Sequence, residues 1–125
     1  MGRTFHVFID HVAADADLAD GLRAHLRPAV RRGLVELLPK SSEILGTVAV
    51  RALREAVLDA ELYLPLLSAE FLRDDAAEDR LRLGHRRHQE GSVQLLPVLA
   101  SACLLDQAGY PGLRTLPTGE ALRAM

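Results

Sequence analysis

Leu62-Tyr63-Leu64-Pro65-Leu66-Leu67 is apolar apart from the Tyr63 hydroxyl, and Ser68-Ala69-Glu70-Phe71-Leu72 follows at once as a helix start. A short apolar run with no polar alternation has no solvent face, so as a strand it must be covered on both sides. Sheets covered on both faces are usually parallel, because the crossover connections lay helices over them. The passage from such a strand into a polar helix start is also where open α/β sheets place ligand sites.

The rest of the chain supplies the alternation of strands and helices that this demands. Thr4 to Ile9 reads as the first strand and Asp10-His11 breaks it. Asp15 is placed to cap a helix in which Leu18, Leu22 and Leu26, with Ala19 and Ala29, face inward, while Asp17, Asp20, Arg23 and Arg27 face out. Pro28 is expected to kink or restart that helix, and Gly33 ends it behind Arg31-Arg32. Leu34 to Leu38 is a short second strand and Pro39 to Gly46 a loop. Thr47 is placed to cap a second helix running to about Asp59, with Val50, Leu53, Val57 and Leu58 inward. Glu70 to Glu90 reads as one charged helical stretch anchored by Phe71, Leu72, Leu81 and Leu83, and Gly91 stops it. Ser92 to Leu99 is the fourth strand, with Pro97 at a strand end or an unpaired edge. Beyond Ala100, Gly109-Tyr110-Pro111-Gly112 is a turn, Leu113 to Leu116 a short fifth strand, and Glu120 to Met125 the start of a helix.

At 125 residues the chain is expected to be one domain. A net charge of -2 gives no basic surface for nucleic acid, and no basic block marks an anionic membrane. The single cysteine, Cys103, excludes an internal disulfide framework and reads as a small buried hydrophobe. The first apolar run, closed by Asp10, is too short for a signal sequence, so a cytoplasmic location is expected.

Several of these residues resemble the TIR domain in its bacterial form. That family opens with a strand ending in Phe-Ile-Ser-Tyr and then an Asp, where this chain has Phe8-Ile9-Asp10-His11 and Asp15. Its turn before the second helix is matched by Ile44-Leu45-Gly46, and its Leu-Ser-Pro-x-Phe-Leu by Leu67-Ser68-Ala69-Glu70-Phe71-Leu72. Its Ile-Pro-Val element is matched by Leu96-Pro97-Val98, and a later Leu-Pro by Leu116-Pro117. The chain departs from the pattern at Asp10-His11, at Leu38-Pro39 in place of an aromatic-acid pair, and in having no Trp. The resemblance implies a three-layer flavodoxin-like α/β sandwich, with a parallel sheet of four to five strands, spanning residues 1–125 and lacking part of the family's final helix.

The resemblance also implies chemistry. Some TIR domains cleave the nicotinamide bond of NAD with one Glu in the helix after the third strand, where a carboxylate stabilises an oxocarbenium-like transition state. Glu78 stands nearest that position, with Asp79 beside it; the alternative is that Asp74, Asp75, Glu78 and Asp79 solvate a helix start. A nucleotide would then be met by Phe8, Asp10, His11, Gly46 and Ser68. Asp10-His11 reads either as an acid–base pair or as a turn-capping Asp beside an exposed His. His85 and His88 stand three apart on a helix, but Arg86-Arg87 between them repels a cation. Within the loop, Ser41, Ser42, Glu43, Ile44 and Leu45 correspond to the family's contact segment; the apolar Ile44-Leu45 pair either docks a partner or staples the next helix.

Two readings of function follow: a self-associating signalling module fused to or associated with a bacterial defence or stress effector, making TIR–TIR contacts, or an NAD nucleosidase using Glu78. A receiver-like domain fits less well, for there is no acidic pair at the first strand's end and Lys40 is the only lysine.

Overall fold

β1 (Phe5–Asp10) carries Val7, Phe8, Ile9 and Asp10 into the interior, and its alternate residues reach two different cores, as a strand covered on both faces requires. The computed structural model describes residues 3–39 and 46–101. The expected contact segment at 41–45, Cys103 and the expected elements beyond Ala100 lie outside the described residues, apart from Ser101.

After β1 come a 3-10 turn (Ala13–Asp15), α1 (Ala16–Arg31), β2 (Val35–Leu38), α2 (Gly46–Asp59) and β3 (Leu62–Leu67). α3 (Ala69–Arg73), α4 (Asp75–Gln89), β4 (Gln94–Leu95) and β5 (Val98–Leu99) follow. The strands lie in the order β2-β1-β3-β4, with β5 also on β3, and every pairing is parallel. Val7 is level with Leu62 and Asp10 with Pro65, so the carboxyl tips of β1 and β3 end side by side.

Helices cover both faces of the sheet, as expected of a three-layer α/β sandwich. On one face Val7, Ile9 and Leu66 pack against Leu18, Ala19, Leu22 and Leu26 of α1. On the other, Phe8 and Tyr63 pack against Leu53, Ala56 and Val57 of α2 and Leu83 of α4. Phe8 and Tyr63 are stacked, with ring centroids 5.5 Å apart and planes 16° apart. A third cluster of Leu67, Phe71, Ala77 and Leu81 packs α3 and α4 against the end of β3. No helix among the described residues is long and apolar enough to cross a membrane.

Four local expectations are corrected. Pro28 does not restart α1: the helix is continuous from Ala16 to Arg31, and Arg32 N–H donates to Pro28 O. α2 turns Leu53, Ala56 and Val57 inward, whereas Val50 and Leu58 are 53% and 40% exposed. The charged stretch from Glu70 is two helices, because Asp74 leaves helical geometry (φ -83°, ψ 116°) and its carboxylate accepts from Ala77 N–H at 2.9 Å. The fourth strand is broken into β4 and β5, since Pro97 has no N–H for the ladder.

The glycine endings hold. Gly33 (φ +72°) and Gly91 (φ +78°) take left-handed backbone after α1 and α4, a conformation only glycine adopts at little cost. In both turns the next amide reaches five residues back, Leu34 N–H to Ala29 O and Ser92 N–H to Arg87 O, which satisfies helix-end carbonyls.

Candidate site at the carboxyl end of the sheet

Asp10, the last residue of β1, is 1% exposed and cannot remain ionised there without partners. Arg80, on the buried side of α4 with Ala77, Leu81 and Gly84, supplies them. Its Nε donates to Asp10 Oδ2 and its Nη2 to Asp10 Oδ1, both at 2.9 Å. Tyr63 Oη donates to Asp10 Oδ2 at 2.7 Å. The planar fork of the guanidinium matches the carboxylate, the geometry that makes such pairs strong. Burial opposes the charge on Arg80, but the hydrogen bonds and charge of Asp10 outweigh it and raise Arg80 above the ordinary guanidinium range.

A second polar pair lies beside the first. Asp15 (2% exposed) occupies the N-cap position of α1, yet its carboxylate makes no cap bond, contrary to the expected role. It instead accepts from Ser68 Oγ at 2.7 Å. The same hydroxyl accepts from Phe71 N–H at 3.1 Å and so caps α3. Ser68 therefore ties the end of β3 to the start of α1 and starts α3 as well.

His11 is neither fully exposed nor hydrogen-bonded as half of an acid–base pair with Asp10, whose carboxylate is taken by Arg80 and Tyr63. Burial, then the nearby Arg23 guanidinium, lower its pKa below the ordinary 6.5; Asp10, Asp20 and Asp15 oppose this without cancelling it.

Of the expected nucleotide contacts, Phe8, Asp10 and Ser68 are enclosed, while His11 is half-buried and Gly46 begins α2. Asp10 and Ser68 stand at neighbouring strand tips, whereas Phe8 lies deeper, against Tyr63. Glu78, in the first turn of α4, accepts from Arg82 Nε at 2.6 Å. Arg80 was not among the expected site residues. The sequence carries no local signal for it, because the side of α4 that it shares with Ala77, Leu81 and Gly84 is set apart only by burial in the fold.

The opposite end of the sheet holds a surface groove of about 390 Å³ bounded by Arg3, Phe5, Glu61, His88 and Gln94. His6 sits beside it between two acids, Nδ1 at 3.0 Å from Glu61 Oε1 and Nε2 at 3.0 Å from Glu36 Oε2. Arg3 also pairs with Glu61. Among the described residues no group of three or more His, Cys, Asp or Glu is arranged to hold a metal ion. His88 Nδ1 faces the backbone of Val93 and Leu95.

With this geometry, the fold is of the TIR-like, flavodoxin type. The chain is similar in structure to the TIR domain of the Toll-related receptor TRR-2 from the lower metazoan Hydra magnipapillata, with a TM-score of 0.61 at 17% identity over 83% of this chain and 80% of that one. In sequence it is similar to the uncharacterized protein y4lF of Sinorhizobium fredii (strain NBRC 101917 / NGR234), 27% identical over 112 residues. That match takes in 89% of this chain and 35% of y4lF, so the chain spans about a third of that relative's length. No family model matches the chain.

Proposed function

We propose that this chain is a TIR-like signalling and self-association module of the bacterial kind, working in the cytoplasm within a larger defence or stress-signalling effector. The observation that carries this reading is the buried, mutually bonded polar network at the tips of β1 and β3 in a TIR-like parallel sheet. Where a nucleotide-binding sheet leaves a crevice, Asp10, Arg80 and Tyr63 bond to one another in the interior. Such an end favours a rigid scaffold whose outer surfaces make the contacts. The similarity to one part of the longer y4lF fits a module joined to other domains. The contacts are assigned to the loop at Ser41, Ser42, Glu43, Ile44 and Leu45 and join one copy to another.

Light scattering of the concentrated protein tests this. Self-association that falls to monomer in Ile44→Asp/Leu45→Asp supports the module, and a monomer before and after the change counts against it.

The enzymatic alternative, NAD cleavage by Glu78, draws support from the half-buried position of that carboxylate in the first turn of α4. To approach a ribose it must give up the bond from Arg82 Nε. Nicotinamide release that is lost in Glu78→Ala would assign the activity, and no release from NAD by concentrated protein would remove it.

A further inference from the structure

Gly91 turns the chain back at the end of α4 and lays β4 beside the helix turn that carries His88. On its inner side β4 is paired with β3, Gln94 N–H donating to Glu61 O and Leu96 N–H to Tyr63 O, each at 2.9 Å. Backbone groups alternate in direction along a strand, so Val93 C=O and Leu95 N–H face the other way. Among the described residues β4 has no strand on that side. Both outward groups meet a single atom: His88 Nδ1 lies 3.1 Å from Val93 O and 3.3 Å from Leu95 N.

These two groups are self-complementary. With a twofold axis passing through Gln94, Leu95 N–H of one copy meets Val93 O of the other, and the reverse, in the pattern that flanks a non-hydrogen-bonded antiparallel pair. We infer that His88 is an edge lock, its imidazole occupying the backbone groups through which β4 would pair antiparallel with β4 of a second copy. When Nδ1 carries the proton it donates to Val93 O; when it does not, it accepts from Leu95 N–H. Either tautomer keeps the ring in place, so the two groups are never free together. Pro97, the next residue with its nitrogen on the outer side, has no N–H, so pairing cannot extend past it. Exposed edges invite such pairing, and side chains that cover them are a known protection.

The experiment is His88→Ala in the full chain, read by amide exchange and sedimentation equilibrium. In dilute, monomeric protein Leu95 N–H is expected to exchange about fivefold faster, with Gln94 and Leu96 unchanged because they bond to β3. Self-association should exceed that of the wild type. Adding Gln94→Glu sets two carboxylates face to face on the axis and should reverse that gain, whereas Ile44→Asp/Leu45→Asp should leave it. His88→Gln, whose amide both donates and accepts, should keep Leu95 protected. If His88→Ala loses its helical circular dichroism, His88→Leu answers the same question while keeping bulk. Wild-type exchange at Leu95 in the dilute, monomeric protein overturns the lock. So does unchanged association, or a gain that responds to the loop substitutions and not to Gln94→Glu.

Discussion

Gly84 lays its bare Cα against the ring of Tyr63: a β-carbon there would stand 2.4 Å from both Cδ2 and Cε2. This contact lets α4 come close enough to β3 for Arg80, one helical turn earlier, to reach Asp10. The same ring stacks on Phe8 and donates its hydroxyl to Asp10. In an exposed helix, alanine in place of glycine gains about 1 kcal/mol. At this position the overlap reverses the sign. Gly84→Ala should cost about 1–3 kcal/mol, read as a lower urea midpoint with an unchanged slope.

The Asp10–Arg80 pair is expected to be costly to break from one side. Arg80→Met leaves a buried carboxylate with only the Tyr63 hydroxyl beside it, a loss of about 3–5 kcal/mol. Combining Arg80→Met with Asp10→Asn removes the stranded charge, so the double variant should lose less than the sum of the two single losses. Urea unfolding of the three variants gives the cycle, and simple additivity would contradict the coupling.

Ser68→Ala removes one hydroxyl with two tasks, donating to Asp15 and capping α3 at Phe71. The expected loss is about 1–2 kcal/mol. Faster amide exchange at Phe71 would locate the damage at the cap, and unchanged exchange there would argue against it.

His11 makes stability depend on pH. Its pKa in the folded chain lies below the ordinary 6.5, through burial and then Arg23. The unfolded chain therefore binds more protons as pH falls below 6.5, and stability rises with pH through that window. The favourable contribution of neutral His11 is complete above 6.5 and declines as acid brings the pH down toward the folded value. Melting temperatures between pH 7.5 and 5 should fall less steeply in His11→Gln than in the wild type. Arg23→Gln should flatten the profile in part, because it removes the neighbouring positive charge.

The parallel sheet was legible in the order of the residues because its signals are local. The apolar run at Leu62 to Leu67 predicts a strand covered on both faces, Ser68 predicts the helix start behind it, and Gly33 and Gly91 predict the two helix ends. Each depends on neighbours within a few positions, through side-chain periodicity or the φ that glycine permits. The pairing of Asp10 was not legible. Its partner stands 70 residues away, on a helix whose Asp, Glu, Arg and His read as one solvated face. Burial singles out Arg80 from Arg82 and Arg86, and burial arises only when Gly84 seats the helix on Tyr63. The diversion of Asp15 from its cap to Ser68 has the same origin, since two strand-end loops must first be brought together. Local chemistry thus dictated the strands, helices and turns, while folding alone selected which charges share the interior, because an ion pair between distant residues is a property of packing in space and leaves no periodic trace along the chain.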